Sequence, residues 1–427
     1  MERKIKILVI TYHPWREDIS VGNTLSNIFK GMEDKITFAS IYIRDDKASN
    51  KLVKDFFNIS EKELVRSILT RKPVGKRVTS VEEDAPKENF SKSYNKARQL
   101  RWDSLLLLQD MIGLLGKWKS NELDKFVTDF KPDLIFGPLG RIPICNNIMT
   151  YLSKKYNIPL ITYPWDDHYS LRKRSWSPIF WLKLYIERQA IYRCAKQSTF
   201  LYTITTLMQK EYSQYFNKEC KLLYKGYVFE ERPTFKSENG VLRLIYMGNI
   251  GAGRWKILAK VAKAINEINK DSTKAELYIY TLSPKSKKME QNLNIGDAHL
   301  MKPVPEKEKM NVLNSADILL HVEPITTKDR LFFRLSFSTK LVDYFYNAKC
   351  ILAMGGDTAS MRYLQENDAA IVELDERKIK DKLITLIKNP NLIEVYSQKA
   401  WDCGEKNHQI KNIQNNIYLD FLNILKK

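Results

Sequence analysis

"SFSTKLVDYFYNAKCILAMG", residues 336–355, opens with hydroxyls suited to capping a helix over Lys340 to Asn347. It carries one acid, Asp343, a turn later, and passes through a small break into the apolar run CILAMG. A short helix that feeds a strand with no polar alternation is half of an α/β unit, because a strand buried on both faces belongs to a parallel sheet covered by helices. The same pattern extends on both sides. VLRLIYMG (241–248), ELYIYTL (276–282), DILLHVEP (317–324) and AAIVEL (369–374) are further strand candidates separated by helical periods, which predicts a doubly wound sheet. Upstream, KIKILVI (4–10), KITFASIYI (35–43), DLIFGP (133–138), PLITYP (159–164) and STFLYTIT (198–205) predict a second sheet of the same kind.

Between the two, FEERPTFKSENG (229–240) collects Pro, Gly, Ser and charge, the composition of a linker. The expected division is an N-terminal domain over 1–236, a second domain over 237–405, and a C-terminal helix over 406–427 that is too small to stand alone and packs on the N-terminal domain. Residues 60–100 lose the alternation and are dense in charge, so a loose surface insert is expected there.

A chain of 427 residues, 44% of them hydrophobic, has material for two cores. Its formal charge of +20 calls for phosphate-bearing partners: nucleic acid, an anionic membrane or a phosphorylated small molecule. No nucleic-acid motif, stacking array or Lys/Arg tail accompanies the charge, so a nucleic-acid partner is not expected. Cys145, Cys194, Cys220, Cys350 and Cys403 are scattered with no CxxC, which argues against a zinc cluster and for core residues in a reducing compartment. The first apolar run is interrupted by Lys6 and lacks a cleavage site, and LLLLQDMIGLLG from Leu105 is broken by Gln109 and Asp110, so neither a signal peptide nor a bilayer span is expected.

Open α/β sheets bind ligands beyond the carboxyl ends of their strands. With Ser338 and Thr339 as caps, the helix from Lys340 would turn free N–H groups and a positive dipole end toward a diphosphate. Lys340 would add a full charge, and Asp343 would lie near the ribose of a nucleotide. The plainer alternative leaves Ser338 as a cap and Asp343 as a solvated acid. In MGNIGAGRWK (247–256), Gly248, Gly251 and Gly253 allow close backbone approach, and Arg254 and Lys256 suit phosphate. The turn has neither the GxGxxG order nor a GKS/T ending, which disfavours a dehydrogenase or P-loop kinase site, and a purely packing role for its glycines stays open.

Taken in order, the glycine and basic turn, Pro303 to Pro305, LNSADILLHVEP (313–324), and S-x-K-L-x-D-Y from Ser338 to Tyr344 resemble the donor half of GT-B glycosyltransferases. They are most similar to the family 4-type (glycosyl transferases group 1) retaining enzymes of bacterial surface polysaccharide and capsule synthesis. The resemblance implies two Rossmann-like domains facing a cleft, with a C-terminal helix packing back across. It implies a hexosyltransferase that moves a sugar from a nucleotide diphosphate donor, UDP-sugar favoured, to a glycan or lipid-linked acceptor. No metal and no cofactor beyond the nucleotide-sugar co-substrate is implied. Asp343 matches the second acid of the family's Glu-x(7)-Glu motif, on the donor ribose; Phe337 to Lys340 match the diphosphate segment; Arg254, with Lys256 as substitute, matches the basic group on the phosphates. Val304 and Pro305 fall where the base is clasped. Three positions depart from the family pattern: the first acid falls at Leu335, the second is Asp rather than Glu, and Asn249 stands beside Gly248 where Arg is usual. Glu323 and Arg334 are the candidates to replace the missing acid.

In the N-terminal half the resemblance places Gly22 and Asn23 near the donor phosphate, and Asp167 and His168 on the acceptor side; with Arg254 these two form the expected catalytic set. The stretch LRKRSWSPIFWLKLYIERQAIYRCAK (171–196) mixes basic and aromatic residues as a helix lying on an anionic leaflet does, while a core helix with a solvated basic face explains it nearly as well. The expected location is cytoplasmic, at the inner face of the plasma membrane. A non-catalytic relative, a nucleotide-sugar epimerase and a basic nucleic-acid-binding protein are the alternatives.

Overall fold

The computed structural model describes residues 3–17, 20–78, 102–234 and 240–426. The chain forms two compact units, Met1–Leu223 with Ile413–Lys427, and Tyr224–Asn412. The division falls ahead of the expected linker; the 236/237 boundary itself lies outside the described residues.

In the first unit, β1 (Ile5–Thr11), β2 (Ile36–Tyr42), β3 (Val53–Asn58), β4 (Lys76–Val78), β5 (Leu134–Gly137), β6 (Leu160–Thr162), β7 (Phe200–Thr203) and β8 (Cys220–Leu222) form one sheet in the order β4-β3-β2-β1-β5-β6-β7-β8. Among the described residues only the β3–β4 pair is antiparallel. Ile7, Leu8, Val9 and Ile10 are all fully buried, so β1 needs cover on both faces. The helices that supply it are α1 (Ser20–Phe29), α2 (Glu61–Thr70), α3 (Asp103–Leu115), α4 (Asn121–Phe130), α5 (Pro143–Tyr156), α6 (Pro178–Gln197) and α7 (Thr206–Phe216). The front of the expected loose insert is ordered: Ser60 accepts the Glu63 N–H and starts α2, Arg71 closes it in the left-handed conformation, and β4 follows. Residues 79–101, the rest of that insert, lie outside the described residues.

The second unit contains β9 (Leu242–Met247), β10 (Ala275–Tyr280), β11 (Ala298–Met301), β12 (Ile318–Glu323), β13 (Cys350–Gly355) and β14 (Ile371–Glu373), all parallel, in the order β11-β10-β9-β12-β13-β14. Its helices are α8 (Arg254–Ile268), α9 (Lys287–Leu293), α10 (Lys309–Asn314), α11 (Thr327–Phe333), α12 (Lys340–Tyr346), α13 (Ala359–Glu366), α14 (Ile379–Lys388) and α15 (Pro390–His408); α16 (Ile410–Leu425) follows, and from Ile413 on it belongs to the first unit. Leu244, Leu277, Leu320 and Leu352 from four adjacent strands pack against Leu258 and Val261 of α8. The helix, break and strand of residues 340–355 are as the sequence implies, and the break is Ala348, held in the left-handed region at φ 47°. Within the first unit the Phe421 ring of α16 stacks 6.4 Å from Phe29. All five cysteines are free and buried.

Candidate functional site

Chain order reverses direction between β9 and β12, which are neighbours although β10 and β11 come between them in sequence. In a doubly wound sheet this switch point, at the carboxyl ends of the strands, is where loops diverge and leave room for a ligand. Four polar side chains meet there. Arg254, the first residue of α8, donates through Nη2 to Glu323 Oε2 at 3.1 Å, and its guanidinium lies 4.2 Å from the Phe333 ring centre. Lys340, the first residue of α12, holds its ammonium 4.2 Å from the Tyr246 ring centre. His321 Nε2 lies 3.2 Å from Glu323 Oε1 without the alignment of a hydrogen bond, and His321 Nδ1 has no partner among the described residues.

Two cations and one anion behind the same strand ends unbalance each other. Burial, with the Arg254 charge beside it, pushes the half-buried Lys340 ammonium down to about 7, so this lysine is poised between charged and neutral near physiological pH. Burial opposes the charge of Glu323, yet His321, Arg254 and Lys340 outweigh it and hold the carboxyl below the usual range. Arg254 and Lys340 thus share one buried carboxylate, an arrangement that favours a further anion.

Local backbone opens the way to it. Gly248 follows β9 at φ 151°, and a Cβ there would stand 3.5 Å from Lys340 Nζ; Gly253 caps α8 at φ 78°. Asn249 organises the turn, accepting through Oδ1 from Gly251 N at 2.6 Å and from Ser283 Oγ at 2.9 Å. Of the two lysines named from sequence, Lys340 as an added charge and Lys256 as the substitute for Arg254, Lys256 is exposed on α8 and Lys340 is the one that approaches Gly248.

The hydroxyl cap is corrected. Thr339 makes no side-chain cap bond, the Ser338 N–H donates to Ser360 Oγ at 3.0 Å, and the Leu341 and Val342 N–H groups bond back to the carbonyls of Ser338 and Thr339. The amides of α8 are similarly engaged, Arg254, Trp255 and Lys256 donating to Gly251, Ile250 and Gly253. The charge here is therefore carried by side chains. Leu335, where the resemblance would put an acid, is fully buried, a core position at which a lone carboxylate would be costly.

Asp343 is buried and already coordinated. Oδ1 accepts from Lys225 Nζ at 2.9 Å and Tyr227 Oη at 2.6 Å, and Oδ2 from Lys309 Nζ at 2.8 Å. Although burial opposes ionisation, Lys225 and Lys309 outweigh it and hold the carboxyl below its usual range. It is not the solvated acid of the plainer alternative. Lys225, Tyr227 and Lys309 were missed from sequence; nothing in their local spacing points to Asp343. Val304 and Pro305 lie in the loop after the edge strand β11, where Pro305 O accepts from Glu308 N at 2.9 Å.

In the first unit, Gly22 sits in α1 where a Cβ would fall 2.0 Å from the Arg16 carbonyl oxygen, so glycine is required for close packing of the loop after β1. Asn23 is exposed beside it and donates to Glu17 O at 3.3 Å. Asp167 is buried and organises the loop after β6: it accepts from Ser170 N at 2.9 Å and from Ser170 Oγ, while Lys173 donates to its carbonyl. Burial, with Lys173 and Arg141 nearby, holds the half-buried His168 ring well below the usual imidazole range despite Asp166, leaving it neutral near pH 7, a hydrogen-bond acceptor rather than a proton store.

No protein-family model matches the sequence, and no curated protein matches it significantly. Solved structures do match. The chain is similar to an α,α-trehalose-phosphate synthase (UDP-forming) from Burkholderia vietnamiensis, with a TM-score of 0.59 at 8% identity over 98% of this chain and 100% of that one. It is similar to an E. coli structure described as trehalose-6-phosphate bound with UDP-2-fluoro glucose, with a TM-score of 0.55 at 10% identity over 97% and 98% of the two chains. It is also similar to the UDP-GlcNAc 2-epimerase of Neisseria meningitidis bound to UDP-GlcNAc, with a TM-score of 0.51 at 13% identity over 98% and 100%. Identities this low speak to architecture, and the architecture is that of the GT-B fold, two Rossmann-like parallel α/β domains in one chain.

Proposed function

We propose that this chain is a metal-independent, retaining glycosyltransferase that takes a sugar from a UDP-sugar and places it on a glycan or lipid-linked acceptor in the cytoplasm during surface polysaccharide assembly. The observation that carries the reading is the pair Arg254 and Lys340 at the switch point of the second unit, beside a glycine turn and both in the field of the buried Glu323. Solved structures of the same fold are described with UDP-sugars bound.

In this reading the donor diphosphate lies over Gly248 with Arg254 and Lys340 on its oxygens. The acceptor hydroxyl oxygen bonds to the anomeric carbon as the bond from that carbon to the β-phosphate oxygen breaks. The hydroxyl proton passes to the departing phosphate oxygen, so product and UDP account for every atom. Charge grows on the diphosphate as the bond breaks, and two fixed cations favour that state over the ground state. Asp343 would take the ribose hydroxyls once Lys309, the more exposed of its two lysine donors, swings away. Asp167 and His168 are proposed for the acceptor, His168 as a neutral ring able to accept a hydrogen bond from the hydroxyl.

The test is to offer the purified chain UDP-glucose, UDP-galactose and UDP-GlcNAc with lipid-linked oligosaccharides. UDP release, an extended glycan and retained anomeric configuration by NMR are expected. Conversion of UDP-GlcNAc to its C2 epimer without an acceptor would instead make the protein an epimerase.

A further inference from the structure

Two neighbouring helices of the first unit, α3 and α6, are turned inside out, and α2 beside α3 adds exposed leucine to their outer face. On α3 the acid Asp110 is 2% exposed, while Leu108 and Leu115 are 57% and 52% exposed. Beside it, α6 buries Lys183 and Glu187, paired at 3.3 Å, and exposes Leu182 and Tyr185. Leu69 of α2 is 86% exposed, and Trp176, just ahead of α6, is 97% exposed. A helix facing water hides its apolar stripe and displays its charges. Here charges lie between the helices: Glu187 also takes Arg141 at 3.5 Å, and neither oxygen of Asp110 has a hydrogen-bond partner among the described residues. A layer with carboxylates inside and leucine and tryptophan outside is built for an apolar medium.

Charge selects the occupant. Arg66, Arg71 and Lys72 are exposed on and just beyond α2, and Arg172 and Arg174 precede α6, so the apolar centre has a basic rim. A second copy would set one chain of charge +20 against another. Segment 79–101, outside the described residues, holds nine charged residues and offers only Val81, Phe90, Tyr94 and Leu100 as large apolar groups. Anionic lipid fits both the centre and the rim, and no helix among the described residues is long and apolar enough to cross a membrane. We infer that the outer faces of α2, α3 and the first half of α6 form one surface by which this chain lies on an anionic lipid bilayer. The basic stretch read from sequence supplies part of the rim and part of the apolar area, to which Leu69 of α2 and Leu108 and Leu115 of α3 add. The surface stands independently of the transferase reading, since lipid binding is measured without donor or acceptor.

The experiment is co-sedimentation of the full chain with phosphatidylcholine vesicles, with and without phosphatidylglycerol. Two double variants accompany it, Leu108→Glu with Leu182→Glu and Arg172→Glu with Arg174→Glu. Unchanged thermal melting and circular dichroism establish that both fold. Wild type is expected to pellet with the anionic vesicles, the leucine variant to bind about tenfold more weakly or worse, and the arginine variant to lose the salt-sensitive part of binding. Wild type left in the supernatant, or a leucine variant that binds like wild type, would overturn the inference. So would a dimer in solution that Leu108→Glu dissolves, or binding gained only on removal of residues 79–101.

Discussion

Lys340 and Arg254 divide one carboxylate between them, and that shortage of negative charge is what the proposed donor would relieve. With its pKa near 7 the free lysine is increasingly neutral above that pH, whereas a diphosphate alongside would restore its charge. Nucleoside diphosphate binding above pH 7 should therefore take up close to ~1 proton and weaken as pH rises further. Calorimetry in two buffers of different ionisation enthalpy checks this, and Lys340→Met should abolish the uptake. Asp343→Asn leaves Lys225 and Lys309 without their counter-ion and should cost about 3–5 kcal/mol in urea unfolding at pH 7. Because its folded pKa is lowered, the contribution of Asp343 is complete above the ordinary carboxylate range and is lost as pH falls through the lowered value. If Lys309 is the donor that yields to ribose, Lys309→Ala leaves UDP affinity unchanged or higher while Asp343→Asn lowers it; equal losses in both would remove Asp343 from the ribose. From sequence, Asp343, Arg254 and Lys340 were legible because motif order singles them out. Lys225 and Tyr227, more than a hundred positions from Asp343, were not, because only the folded sheet brings them together.

The β9–α8 turn and the paired ends of β12 and β13 hold these groups in place. Gly355 closes β13 at φ 126°, and a Cβ there would stand 2.1 Å from the carbonyl oxygen of Glu323. Gly355→Ala should cost about 2–4 kcal/mol in chemical denaturation, combining left-handed strain with a backbone clash, and should weaken UDP binding as Glu323 shifts. An unchanged UDP affinity would detach the β12 end from the site. Elements were legible where burial is two-sided, as in β1, β9, β12 and β13, since a continuous apolar run admits few other readings. β3, β4, β8 and β11 escaped because they are peripheral or short: VKDFFN exposes Lys54, and AHLM is only half-buried. Ser338 and Thr339 looked like caps because hydroxyls before a helix usually are, but Ser360 takes the Ser338 amide instead.

At the scale of the molecule, alternation of apolar strands and helices predicts both units, and composition marks 229–240 as linker. The second compact unit begins earlier, at Tyr224, where Tyr227 stacks 4.7 Å from Tyr346 and Phe229, the first residue of that linker, meets Trp401 at 5.0 Å. The fold was therefore largely visible in sequence, whereas the exposed leucines of α2, α3 and α6 were not, since exposure of a leucine is decided by packing. Hydrogen exchange should show UDP slowing amides in residues 247–256 and 320–346 while the β1–β5 pair of the first unit exchanges unchanged. The most direct measurement is isothermal titration of the purified chain with UDP, wild type beside Arg254→Ala and Lys340→Met. Binding by wild type, weakened about tenfold or more in each variant with melting preserved, is the predicted result, since each loses a charge-assisted bond to phosphate. A folded wild type that ignores UDP, or two variants that bind it as tightly as wild type, would contradict the assignment of the switch-point site to a nucleoside diphosphate.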